Sequence, residues 1–274
     1  MRKLELPLLG RHSPRLTRLR RIVRRQEGDL TVAEGVKLVR DLAAAGVEIL
    51  ELYATRERAR NLPSLPGIEA AVAAGRAYLL DAATCDRLAP TQHSQGLIAI
   101  VRAPTHAVRA EGIVLFLDRI QDPGNLGALI RCAAAFGASG VACSTGCADP
   151  FSPRAVRSSA GHALLLPVQI EMAFEELVPQ FKAAGGSVVA TTGRGGVPLP
   201  LWLPKSPLLL AFGNEGVGLS EAILDTCDER VTVPLSGGVE SLNVTVAAGV
   251  VLAALAGVAG PPILEPQRSQ RRSA

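Results

Sequence analysis

Residues 208–220 read Leu208-Leu209-Leu210-Ala211-Phe212-Gly213-Asn214-Glu215-Gly216-Val217-Gly218-Leu219-Ser220. An apolar run with no polar break is the mark of a strand covered on both faces, as in a parallel sheet. The run stops on Gly213, and Gly216 and Gly218 follow, so the backbone after the strand can approach a ligand closely. Ligands bind at that carboxyl edge in open parallel sheets. The glycine spacing differs from the GxGxxG dinucleotide fingerprint. Glu215 is the one acid of an otherwise nonpolar loop, and Ser220 suits the N-cap of a following helix.

Working outward, apolar strands are predicted at 113–117, 140–144, 165–170, 188–192 and 231–234, with helices near 126–136 and 244–256. Strands alternating with helices imply an α/β domain with a parallel sheet. Ahead of it, 30–33, 47–53 and 97–101 read as strands, and 36–45 and 68–74 as helices, the first ending at Gly46. The domains expected are a basic arm and small α/β unit over 1–103, a linker at 104–112, a catalytic domain over 113–260 and a disordered basic tail at 261–274.

Two further turns carry polar residues at strand ends. Asp118 to Gly127 leads into a helix, with Asn125 read as its N-cap and Arg131 interrupting its apolar face. Gly127 and Ala135, four residues to either side of Arg131, are small and leave its side chain room to lie along the helix. Val233 to Asn243 leads into the last helix, with Ser241 and Asn243 at its start. Capping would explain one of them, leaving the other for substrate.

The chain has 274 residues, 48% hydrophobic and 3% aromatic, so Leu, Val, Ile and Ala must build the core. Stacking platforms for single-stranded bases have few candidates. The net charge of +4 is uneven: Arg2, Lys3, Arg11, Arg15, Arg18, Arg20, Arg21, Arg24 and Arg25 precede Glu27, with Glu5 the sole acid among them. Such a cluster suits a polyanion; a solvated helix face and a transit peptide are the other readings. The five cysteines form no CxxC pair and lie mostly in apolar stretches, which reads as buried, reduced thiols in the cytoplasm. No metal site is expected, and no run reads as a membrane span, the nearest, Val244 to Val258, being Ala- and Gly-rich.

In this order and spacing the three turns resemble the motifs of the SpoU (TrmH) class of RNA ribose methyltransferases, over roughly residues 113–257. Gly213-Asn214-Glu215-Gly216 and Ser241-Leu242-Asn243-Val244 carry most of the likeness. Ser13-Pro14-Arg15, Glu34-Gly35 and Gln95-Gly96-Leu97-Ile98 resemble the small substrate-binding domain, similar to a ribosomal protein fold, that precedes many such enzymes. The resemblance implies a deep trefoil knot, an exception to the rule that chains avoid threading. It also implies a homodimer with the active site near the subunit interface. S-adenosylmethionine would be held by Thr191, Thr192, Gly193, Gly213, Val233, Leu235 and Leu242, largely through backbone. Asn125, Arg131, Glu215, Ser241 and Asn243 match the functional polar positions.

Methyl transfer from a sulfonium to a ribose 2′-oxygen requires alignment and removal of the hydroxyl proton. A guanidinium is a poor base. Arg131 is therefore expected to hold the phosphate beside the target ribose and stabilise the developing alkoxide. Asn125 and Glu215 would orient it, and Ser241 and Asn243 would hold substrate and cofactor loop. Arg15, Arg18, Arg21, Arg24 and Arg25 would grip RNA phosphates, so binding would weaken steeply with salt. Ribosomal RNA is the expected substrate, with transfer RNA, a non-catalytic assembly factor and a nucleotide-dependent oxidoreductase as alternatives. The last lacks a Rossmann glycine run after its first strand.

Overall fold

The computed structural model describes residues 6–62, 66–89 and 94–257. The basic tail, residues 258–260 of the expected catalytic domain, and Arg2 and Lys3 lie outside them. The described chain forms a four-stranded and a seven-stranded sheet.

The first sheet holds β1 (Leu30–Glu34), β2 (Glu51–Thr55), β3 (Ala77–Leu80) and β4 (Leu97–Arg102), in the order β1-β4-β2-β3. Strand side chains alternate between faces. Ile98 and Ile100 accordingly pack with Leu16, Leu19 and Ile22 of α1 (Pro14–Val23) and with Cys85 and Leu88 of α5 (Ala82–Leu88). Leu97, Ala99 and Val101 pack on the other side, with α2 (Val36–Ala44) and α4 (Pro66–Ala73). A short α3 (Arg56–Ala59) follows β2. The sequence reading started the second strand at Val47, four residues before β2 begins, and it missed β3 and α5.

The second sheet is parallel throughout its named pairs and runs β7-β6-β5-β10-β8-β11-β9. These are β5 (Ile113–Leu117), β6 (Gly140–Cys143), β7 (Val168–Gln169), β8 (Ser187–Thr192), β9 (Val197–Pro198), β10 (Leu208–Phe212) and β11 (Glu229–Thr232). The predicted strand at 165–170 shrinks to two residues. One face carries α6 (Pro123–Ala135), α7 (Pro153–Ser158) and α10 (Val244–Leu255). The other carries α8 (Phe174–Ala183) and α9 (Glu221–Thr226), with Phe174 edge-on to Phe116 at 4.8 Å. Gly127 lets α6 and α7 touch: a Cβ there would lie 2.4 Å from the Ala155 carbonyl oxygen.

The expected linker is not slack. Val108 is buried, and its N–H donates to Gln169 Oε1 at 2.9 Å. One apolar cluster runs from α2 and α4 through to β5, α6 and α7. Polar contacts reinforce it. Thr31 Oγ1 donates to the Phe151 carbonyl at 2.5 Å, and Arg25 Nε to Asp149 Oδ2 at 2.6 Å. Arg157 Nη1 donates to Glu34 Oε2 at 2.6 Å, while the other oxygen of Glu34 accepts from Ser94 Oγ and the Gln95 N–H.

The Glu34 side chain is 1% exposed. Removing its cation leaves a buried carboxylate under-compensated. Arg157→Ala should cost roughly 2–3 kcal/mol in urea unfolding; an unchanged midpoint would show that the ion pair does not hold the two sheets together.

Candidate active site

Parallel pairing sets Phe212 beside Leu117, and Ala211 beside Ala190. The carboxyl ends of β5, β8 and β10 therefore share one edge, and the turns beyond them meet. The turn after β5 places Arg119 in the left-handed region at φ 53°, a conformation uncommon outside glycine. Its N–H donates to Ser144 Oγ, and Asp118 holds its guanidinium. This presents the Arg119 carbonyl to Asn214 Nδ2 at 2.9 Å. Asn214 Oδ1 in turn accepts from the Gly216 N–H at 2.8 Å, closing the 213–218 loop on itself. Gly213 is required by space: a Cβ there would lie 2.3 Å from backbone atoms of Gly218 and Leu219.

These turns and the 233–243 segment enclose a cleft of about 430 Å³. Thr191, Thr192, Gly193, Gly213, Val233, Leu235 and Leu242 all line it, as do Glu215 and Ser241. Thr191 Oγ1 donates to the Ala211 carbonyl at 2.8 Å, tying β8 to β10 at the cleft wall. Val244, Ala247 and Val251 of α10 close the apolar side.

The polar positions divide. Asn125 Nδ2 donates to Glu215 Oε1 at 2.5 Å, and Asn243 Nδ2 to Asn125 Oδ1 at 3.5 Å. Residues from all three motifs thus form one chain of hydrogen bonds beside the cleft. Asn125 is not the helix cap: Asp122 caps α6 by accepting the Asn125 N–H, with Pro123 at the first turn. Asn243 does cap α10, accepting from the N–H groups of Thr245 and Val246. Arg131 stands apart. It is exposed and absent from the lining of its own chain's cleft, and Asn125 and Glu215 bond each other instead of orienting it. Helix geometry explains this, since six residues along α6 carry Arg131 about 9 Å onward and to another face from Asn125.

The arginine cluster is partly spent within the protein. Arg18 pairs with Glu27 and Glu51, Arg15 lies 4.6 Å over the Tyr78 ring, and Arg21 sits 3.6 Å from Glu27. Arg25, expected to contact RNA, is 16% exposed and committed to Asp149 and the 28–30 backbone. Arg24 is exposed. Sequence reading also missed Asn214, Arg194 and Glu240 as lining residues. Asn214 was legible as the polar member of a glycine-rich turn, whereas Arg194 and Glu240 meet only through the fold. Of the five cysteines expected to be buried, only Cys85 and Cys143 are; Cys132 and Cys227 are half-buried, and so is Cys147. Its thiol is pulled down to about 7, first by a hydrogen bond with Cys143.

Residues 112–253 match the model of the SpoU rRNA Methylase family. The chain belongs to that family. An uncharacterized tRNA/rRNA methyltransferase from Synechocystis is 37% identical over 64% of this chain and 65% of its own length, so the chain spans just under two thirds of that relative. The 23S rRNA (guanosine(2553)-2′-O)-methyltransferase RlmP of Bacillus subtilis is 34% identical over 66% of this chain and 72% of its own. The SpoU methyltransferase AviRb of Streptomyces viridochromogenes, solved in complex with AdoMet, superposes with a TM-score of 0.77 at 26% identity, over 90% of this chain and 98% of that one. Membership in a family of RNA methyltransferases agrees with the cleft's position at the sheet edge. Among the described residues, no helix is long and apolar enough to cross a membrane, and no cluster of three or more metal-ligating side chains occurs.

Gly213→Ala should abolish small-molecule binding in the cleft while leaving the far-ultraviolet circular dichroism intact, because the inserted methyl must displace the backbone of Gly218 and Leu219. Unchanged binding by calorimetry would mean the 213–218 loop is no part of the site.

Proposed function

We propose that this SpoU family member transfers a methyl group from S-adenosylmethionine to a ribose 2′-hydroxyl of ribosomal RNA. The observation that carries the reading is the convergence of all seven expected donor-binding residues on one cleft. Its volume falls in the range of cofactor sites. Its chemistry suits an adenosine: Phe212, Val233, Leu235 and Leu242 offer apolar surface, and the backbone of the glycine turns offers hydrogen bonds. The cofactor supplies an electrophilic methyl group. The names of the Bacillus and Streptomyces proteins support ribose chemistry and this donor respectively.

The chain's own residues supply positioning. Glu215 is oriented by Asn125. Asn243 braces Asn125 and the start of α10, leaving Ser241 at the mouth for substrate. Arg131 meets the ribose in a homodimer. It is exposed on α6, which packs on α10, and α10 turns Val246 and Val250 outward, 52% and 40% exposed. A second copy on this face would cover the valines and bring Arg131 toward the partner's cleft. There it holds the neighbouring phosphate and stabilises the developing alkoxide, the hydroxyl proton passing to solvent water. The insertion of β10 between β5 and β8, with α10 folded back on α6, supports the knotted path that the family likeness implies. Arg15, Arg18, Arg21 and Arg24 on and beside α1 supply RNA phosphate contacts, and the five unbridged cysteines suit the cytoplasm.

Incubation with ribosomal RNA and labelled donor should place label in a nucleotide whose 3′ linkage resists alkali. Arg131→Lys, which keeps the charge but loses the fork, should slow transfer at least about tenfold. Label on a base would refute the ribose reading, and a wild-type rate in the variant would refute the role of Arg131.

A further inference from the structure

Three charged side chains line the cleft among the described residues: Arg194, Glu215 and Glu240. Glu215 is committed to Asn125 at 2.5 Å. Arg194 and Glu240 are committed only to each other, with Nη2 to Oε1 at 3.1 Å. They come from two turns far apart in sequence, Arg194 from the turn after β8 and Glu240 from the turn before α10. The turns also meet through backbone, since a Cβ on Gly193 would lie 3.4 Å from the Glu240 carbonyl oxygen. The pair is 75% and 82% exposed, so water competes fully for both partners and the bond between them is cheap to exchange.

We propose that Arg194 and Glu240 are the receptor for the amino-acid end of the methyl donor. This rests on reading the cleft as the donor's site. The donor's methionine portion ends in a carboxylate and an ammonium. One cation and one anion, side by side in a cleft whose third charged group, Glu215, is already held by Asn125, match that zwitterion charge for charge. Arg194 releases Glu240 and takes the carboxylate through its planar fork. Glu240 takes the ammonium. Two ion pairs replace one, the amino-acid end itself adds no net charge, and the turns at 193–196 and 236–241 become bridged by the ligand. The adenosine end is left to the apolar wall and the glycine turns. Arg194 therefore discriminates among adenosyl ligands by their amino-acid end.

The test is calorimetric titration of the full chain with S-adenosylmethionine and with its decarboxylated analogue, which keeps the sulfonium and the ammonium but lacks the carboxylate. The wild type should prefer S-adenosylmethionine by roughly five- to tenfold, the scale of one net hydrogen bond at an exposed site. Arg194→Ala should bind the two equally, because it lacks the group that tells them apart. A wild-type protein that binds both alike, or an Arg194→Ala variant that keeps the preference, overturns the assignment while leaving the donor site intact. A wild-type protein that binds neither overturns the donor-site reading itself, and the assignment with it.

Discussion

The parallel pairing of β10 with both β5 and β8 is the constraint on which the site depends. Leu210 lies between Leu115 and Val189, strands separated from it by about 95 and 21 residues of chain. With β10 in that slot, the turns after three strands have nowhere to go but one edge. The loop after β10 is then pressed so tightly against its own return that a methyl group at Gly213 would not fit. Asn214 fastens it to the turn after β5, and Glu215 is carried to Asn125. Each polar contact is modest, but together they keep a glycine-rich loop from wandering.

The small sheet is built into this frame. Its apolar side merges with the core beneath α6 and α7, and Arg25, Thr31 and Glu34 bond across the boundary. A domain held this way presents its surface at a fixed distance and angle from the cleft. With the ribosomal RNA substrate proposed above, rigidity of that kind would restrict which nucleotides can reach the edge of the second sheet.

The central strands could be read from the sequence because burial on both faces leaves an unbroken apolar signature, as in Ile113 to Leu117 and Leu208 to Phe212. Short or edge elements could not. Ala77–Leu80 has four residues, and Val168–Gln169 has two paired residues inside a longer apolar run. The loops of the cleft were legible because glycine and polar residues at strand ends have few other reasons to be there. Local signals misled where two residues competed for the same position. Asp122 and Asn125 both suit a helix cap, and Pro123 gives that place to Asp122. The fates of Arg25 and Arg131 were hidden for a different reason. Asp149 and Phe151 lie more than 120 residues from Arg25, and the surroundings of Arg131 depend on how α6 is rotated in the finished fold.

The central claim is that turns far apart in sequence form a single donor pocket. Hydrogen–deuterium exchange with and without S-adenosylmethionine tests it most directly. The account predicts simultaneous protection of peptides covering 191–194, 213–218 and 233–243, with the first sheet unaffected. Protection confined to one of these turns, or centred on 77–96, would contradict it.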